Sequence, residues 1–257
     1  MADAKRLHCI EMGKGAGAPV IFLHGFGGLA ERWSALQGRV GEHKTTLAFD
    51  LPGHGGSLDY PDFGEPKVAA RAVIDALCER NIEKAHLVGF SMGGAIASLI
   101  GLFAPDKLAS LTLLAPGGFG PEINHRLLQD YAAAESAAEF RQVLPHFFGY
   151  NFAVSDEIIE NEVAARKKKG ATAALQRTAS LLFDGKAQGV IPLGPLVKLD
   201  VPIKVLWGTQ DNVLPTRQAH KLPPEIAVHV FPDTGHMLAE EQPNGVFRLV
   251  MENCHCL

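Results

Sequence analysis

The stretch Gly89-Phe90-Ser91-Met92-Gly93-Gly94 limits what this chain can fold into more than any other. It reads G-x-S-x-G and joins one apolar, strand-like run (85–90) to an apolar, helix-like run (93–103). A serine at such a junction sits on a turn so sharp that its hydroxyl projects out of the fold, the arrangement of a nucleophile elbow. Gly89 and Gly93 serve that turn sterically, because a Cβ at either would collide with the neighbouring strand or helix. Met92 follows the serine in the first helical turn, where its backbone N–H can aim at a developing oxyanion.

The strand–turn–helix unit repeats along the chain. Strand-like runs fall at 20–23, 45–50, 85–90, 108–114, 203–207 and 227–231, and helical runs at about 30–40, 68–80, 93–103 and 216–222. A last helix opens on Pro243 and carries Val246, Phe247, Val250 and Met251 on one face. This alternation predicts an α/β fold, a mostly parallel sheet with helices on both faces. It breaks between Gly117 and Gly189, where two helical stretches are expected at about 122–148 and 155–183, with Ser155-Asp156-Glu157 as a helix start. The organisation read from this is a core of 1–117 and 190–257 with a helical insertion at 118–189.

A serine hydroxyl is a poor nucleophile until a base takes its proton, and that base needs a partner to fix its tautomer. His236 follows the apolar alternation at 227–231, and Asp211 lies on the loop leaving the run at 203–207. The chain order Ser91, Asp211, His236 is that of a serine hydrolase triad on a parallel sheet. Asp233 is the competitor for the acid role, but its closeness in sequence to His236 makes an approach to Nδ1 awkward and a turn position the better expectation.

With these residues in place the chain resembles the α/β-hydrolase superfamily. Val20-Ile21-Phe22-Leu23-His24-Gly25-Phe26-Gly27-Gly28 matches the family's strand and glycine turn, and the resemblance implies that the Phe26 backbone N–H is the second oxyanion donor beside Met92. Asp50-Leu51-Pro52-Gly53-His54-Gly55-Gly56-Ser57 matches a structural loop of the family, in which His54 braces the loop. The motifs occur in family order from about Pro19 to Val250. Ahead of Pro19 only 7–12 is strand-like, which leaves the family's first strand without a clear counterpart. The insertion falls where the family carries a cap over the active site. A narrower likeness is to the hydrolase-fold domain of acetoin-dehydrogenase-type acyltransferases, carried by HGFGG, DLPGHGGS, GFSMGG, the 109–114 strand and the helix at 168–182; a stand-alone hydrolase without a lipoyl domain is expected here.

The implied activity is that of a serine hydrolase, a carboxylesterase cleaving a small ester or thioester through an acyl-enzyme on Ser91. Carbon–carbon bond hydrolysis of β-diketone-like compounds and acyl transfer are the alternatives, and a receptor-like protein binding a ligand on the same fold is the non-enzymatic one. Leu127, Leu128, Tyr131, Phe140, Val143, Leu144, Phe147, Phe148 and Tyr150 give the insertion ample apolar surface. Most of it is expected in packing and a minority around a substrate with an apolar portion.

Composition narrows the partners to small molecules. The net charge of −4 is spread along the chain, which argues against nucleic acid. Lys167-Lys168-Lys169, following Glu157, Glu160 and Glu162, reads as a solvated helix face. The uncharged stretch 87–104 is long enough to nominate a membrane helix, but its glycines and the elbow assign it to buried strand, turn and helix, so no membrane partner is expected. Residues 1–17 lack the apolar core of a signal peptide, and the cysteines show no framework spacing, which together indicate a cytoplasmic protein. Cys78 shares a helical segment with Val73, Ile74 and Leu77 and is expected in the core. Cys254-His255-Cys256 has no second ligand pair and is expected to be a mobile tail. The mechanism implied here requires no metal and no organic cofactor.

Overall fold

The computed structural model describes residues 6–255. Its centre is a seven-stranded sheet in the order β1 (Cys9–Met12), β3 (Thr46–Phe49), β2 (Val20–Leu23), β4 (Ala85–Phe90), β5 (Leu108–Leu114), β8 (Ile203–Gly208) and β9 (Ala227–Phe231). β1 runs antiparallel to β3 at one edge, and every other pair is parallel. Among the described residues β1 is the only strand ahead of β2, and it forms the sheet edge. The inner strands β2, β3 and β5 are buried at every position, which is why they read as unbroken apolar runs and not as alternations.

Helices α1 (Ser34–Gly41), α2 (Pro66–Glu79), α3 (Met92–Phe103) and α10 (Pro243–His255) belong to this core. The expected helix at 30–40 is a short 3₁₀ turn (Ala30–Trp33) followed by α1, and the one at 216–222 is entirely 3₁₀ (Thr216–Lys221). α2 starts on Pro66, whose missing N–H costs nothing in a first turn. α8 (Leu193–Val197) and α9 (Leu238–Glu241) are too short for periodicity to reveal.

Between β5 and β8 the chain forms α4 (His125–Ala133), α5 (Ala137–Val143), α6 (Asp156–Arg166) and α7 (Ala171–Leu182). The expected long helices are each broken in two. Ser136 caps α5 in a reciprocal capping box with Glu139, which restarts the chain after Ala133. Gly170, at φ 90°, ends the α6 run and starts α7. A two-stranded hairpin, β6 (Phe183–Asp184) with β7 (Ala187–Gln188), closes the insertion. Phe140 and Phe148 are fully buried, while Tyr150 stands in solvent.

Three local expectations are corrected. Cys78 is exposed, because the inward face of α2 is set by Val73 and Leu77 and the next position turns away from it. α10 continues through His255 and buries Cys254, so that part of the expected tail is helix; Cys256 lies outside the described residues. Lys167, Lys168 and Lys169 are exposed as expected but lie in the turn after α6 ends at Arg166, and Glu162 within that helix is almost wholly buried.

Candidate active site

Ser91 stands between β4 and α3 at φ 53° and ψ −116°, a conformation that costs an L-residue on the order of 1–3 kcal/mol. The surroundings hold it there. Its N–H donates to the Leu114 carbonyl on β5 at 2.9 Å, and its carbonyl accepts from the N–H groups of Gly94 and Gly117, each at 2.9 Å. A Cβ at Gly89 would strike the backbone of Gly93, and one at Gly93 would strike the Leu23 and His24 carbonyls at the end of β2. The turn is sharp because two bare backbones nearly touch. Gly25 lies against the Phe90 ring and the Ser91 Cβ, which brings the His24–Gly28 turn onto the elbow.

His236 and Asp211 come from the loops after β9 and β8. His236 Nδ1 lies 2.8 Å from Asp211 Oδ2, and both side chains are buried. Asp211 Oδ1 accepts from the N–H groups of Val213 at 2.8 Å and Leu214 at 2.9 Å, so both carboxylate oxygens are engaged. The Trp207 indole N–H donates to the Leu214 carbonyl and ties this loop to β8. An imidazole held through Nδ1 by a carboxylate keeps Nε2 free for proton transfer. Asp233 is turned away, accepting from Gln210 Nε2 at 3.1 Å on the exposed side of the loop.

The His236 loop is also fastened to the insertion. The His236 N–H donates to the Phe147 carbonyl at 2.8 Å, and Tyr150 N–H donates to Gln210 Oε1 at 2.8 Å. Glu241 accepts from both the Gly235 N–H and the Gly149 N–H, so one carboxylate grips the loop and the insertion together. Burial raises the Glu241 pKa above the usual carboxylate range.

On the opposite side, Asp50 organises the glycine-rich loop after β3. Its Oδ1 accepts from Ala30 N–H, and its Oδ2 accepts from Gly56 N–H, both at 2.7 Å. His24 Nε2 accepts from Leu51 N–H, and His54 Nε2 accepts from Gly27 N–H. Burial pushes His24 down to about 4 and His54 down to about 3, so both act as neutral braces behind the Phe26 turn.

Two cavities meet at Ser91. One, of about 370 Å³, is bordered by Phe26, Ser91 and Met92, and the other, of about 30 Å³, by Phe26, Ser91 and His236. The sequence-expected residues Ser91, Asp211, His236, Phe26 and Met92 are therefore gathered in one place. Sequence reasoning missed the polar cluster beside them. Glu162 on α6 is paired with Arg32 and accepts from the Tyr131 hydroxyl at 2.7 Å; Tyr131 also packs against Phe26. Burial works to discharge Arg32, but the Glu162, Tyr131 and Glu240 oxygens outweigh it and hold the guanidinium charged. The available signal was spacing: Glu162 lies three and four residues beyond Ile159 and Ile158, on the inward side of α6. Among the described residues no group of three or more His, Cys, Asp or Glu could hold a metal ion, and no helix is long and apolar enough to cross a membrane.

A mixed sheet of this order, with a serine on a strained strand-to-helix turn and an aspartate–histidine pair on later strand loops, is the α/β-hydrolase fold. The chain belongs to the alpha/beta hydrolase family, whose model matches residues 20–249. It is 35% identical over 234 residues to the dihydrolipoyllysine-residue acetyltransferase component of the acetoin cleaving system of Cupriavidus necator, covering 90% of this chain and 62% of that protein. The corresponding component of Pseudomonas putida is 33% identical, with 93% and 64% covered, so the chain spans under two thirds of either. A 2-hydroxy-6-oxo-6-phenylhexa-2,4-dienoate hydrolase of Burkholderia cepacia is 31% identical, with 96% of this chain and 90% of that protein covered. Among solved structures, a meta-cleavage product hydrolase from Pseudomonas fluorescens shares the fold with a TM-score of 0.85 at 22% identity, covering 96% of this chain and 93% of that one.

Proposed function

We propose that the protein is a serine hydrolase that cleaves a small carboxylic ester or thioester with an apolar portion. The observation that carries this reading is His236, held 2.8 Å from Asp211 and bordering one cavity together with Ser91. Ser91 Oγ attacks the acyl carbon while His236 Nε2 takes its proton, and Asp211 stabilises the imidazolium. The oxyanion is received by the Phe26 and Met92 N–H groups, each lowering the barrier by about 3–4 kcal/mol. The C–O or C–S bond then breaks as His236 returns the proton to the leaving atom. Water, deprotonated by His236, releases the acid and restores Ser91.

In this reading 1–117 and 190–257 form the catalytic core and 118–189 a cap that selects the substrate. The larger cavity is lined mainly by apolar side chains, among them Ala95, Leu99, Ile123 and Ile191, which suits an apolar acyl compound. Carbon–carbon bond hydrolysis is a second reading, favoured by the dienoate hydrolase whose length the chain nearly matches. Against it, a carboxylate substrate calls for a cation able to receive it. The cations bordering the two cavities, Arg32 and Lys67, are paired with Glu162 and Glu65.

A fluorophosphonate probe is expected to label Ser91, with labelling lost in Ser91→Ala. A panel of an ester, a thioester and a β-diketone on one preparation separates the readings. Fast diketone cleavage with negligible ester turnover would replace the first reading by the second. Tight ligand binding with no turnover of any of them would point to a receptor-like protein.

A further inference from the structure

The two cavities that meet at Ser91 differ more than tenfold in size, and His236 borders only one of them. The larger, about 370 Å³, lies on the Met92 side and opens to solvent past Leu181 and Val190, which are 45% and 59% exposed. The smaller, about 30 Å³, lies on the His236 side behind Phe90, Leu144, Phe147 and Phe148. Leu144, Phe147 and Phe148 belong to the insertion and are buried, and His236 N–H is bonded to the Phe147 carbonyl, so this wall is continuous with the loop that carries the imidazole. Phe26, Ser91 and Leu128 border both compartments.

Proton transfer decides which part of a substrate goes where. When the tetrahedral intermediate collapses, the carbon–oxygen bond to the alcohol breaks and His236 gives its proton to that oxygen. The leaving oxygen must therefore lie on the His236 side, and whatever it carries must fit the small compartment. A space of that size holds about two water-sized groups. The acyl chain, attached to the same carbon on the other side, has the large apolar compartment to itself.

We infer that the substrates are esters of a very small alcohol, of the methanol or ethanol class, with an extended apolar acyl group. This rests on the serine hydrolase reading and orients it. Once the alcohol has left, the same compartment admits the water that attacks the acyl-enzyme: its proton passes to His236, its oxygen bonds to the acyl carbon, and the Ser91 ester bond breaks. A thioester on a bulky carrier thiol places its large part on the wrong side, so it is disfavoured.

Methyl hexanoate and pentyl acetate test this directly, since they are isomers that differ only in which side of the ester carries the chain. Acid release by the wild-type protein is measured for both by pH-stat titration, with fluorophosphonate labelling of Ser91 followed on the same preparation. The expected kcat/KM is at least tenfold higher for methyl hexanoate. Equal rates, or a faster pentyl acetate, overturn the orientation while the ester reading stands. Turnover of neither isomer overturns the inference, and the labelling result tells whether the serine hydrolase reading falls with it. Ile158→Ala, which removes part of the small compartment's border, is expected to raise the pentyl acetate rate relative to methyl hexanoate. Should that variant fail to fold, Leu99→Phe narrows the large compartment instead. It is then expected to slow methyl hexanoate several-fold more than methyl acetate, and an equal loss on both would count against the assignment.

Discussion

The elbow and the insertion hold their key side chains by opposite means. Ser91 is fixed by the absence of atoms: Gly89, Gly93 and Gly25 let backbones and rings close in until only one conformation is left. Nearly every contact there is apolar or main-chain. The insertion is fixed by the presence of polar atoms, through Glu162 with Arg32 and Tyr131, and through Glu241 gripping Gly149 and Gly235. A region held by close packing tolerates almost no added volume. A region held by paired charges tolerates volume but not the loss of a partner.

The largest effect expected on this contrast is chemical. Asp211→Asn keeps the shape of the pair but offers His236 the wrong tautomer, and kcat is expected to fall on the order of 10⁴-fold, measured by steady-state turnover of a short-chain ester. A mild loss there with a severe one in Asp233→Asn would transfer the acid role. Next comes volume at the elbow: Gly93→Ala drives a methyl group into the Leu23 and His24 carbonyls and is expected to cost more than about 4 kcal/mol, or to prevent folding, as read by urea denaturation. A near-normal midpoint would show that the elbow can give.

Partner loss in the insertion ranks third. Glu162→Leu leaves Arg32 without its main counter-charge and is expected to cost about 3 kcal/mol, the lower end for a broken buried pair because Arg32 keeps 27% of its side chain in water. Replacing Arg32 by Met in the same chain is expected to restore most of that loss. If the double variant is worse than the single one, the cluster is not held together by charge.

Acid gives a graded effect, spread over the pH range and not tied to one contact. His24 and His54 take up protons in the unfolded chain near pH 6.5 but only at about 4 and about 3 when folded. Stability is therefore full above pH 6.5 and falls as the pH drops toward the folded values, by about 1.4 kcal/mol per pH unit for each histidine. Denaturation midpoints between pH 7 and 5 measure the slope, and His54→Gln is expected to flatten it. The smallest effect is at Cys78: alkylation of the native protein is expected to modify it with no change in melting temperature, while buried Cys254 reacts only after unfolding.

The same contrast separates what was legible in the sequence from what was not. Strands β2, β4, β5, β8 and β9 fall within a residue of where their runs lie: the first four are buried almost throughout and had to be apolar, and the edge strand β9 was legible from its alternation. The elbow was legible because its glycines are local in sequence. Ser91, Asp211 and His236 could be nominated because each follows such a strand. The insertion resisted: α4 and α5 read as one helix, and so did α6 and α7, because the interruptions come from a cap at Ser136 and a left-handed Gly170 inside otherwise helical composition. Glu162 read as a solvated charge because its partner, Arg32, lies 130 positions away, and no window along the chain contains both.

The double grip of Glu241 has a consequence for how such proteins can be recombined. A designer exchanging the insertion for that of a relative would cut at its sequence ends and expect a cassette. The graft would arrive without its fastenings, because the groups that clasp Gly149 and Tyr150 are Glu241 on α9 and Gln210 after β8, both outside the exchanged segment. Glu241 would also be left holding Gly235 alone, next to His236. The unit of inheritance is therefore discontinuous: an insertion together with two short patches of the core, which have to travel as one.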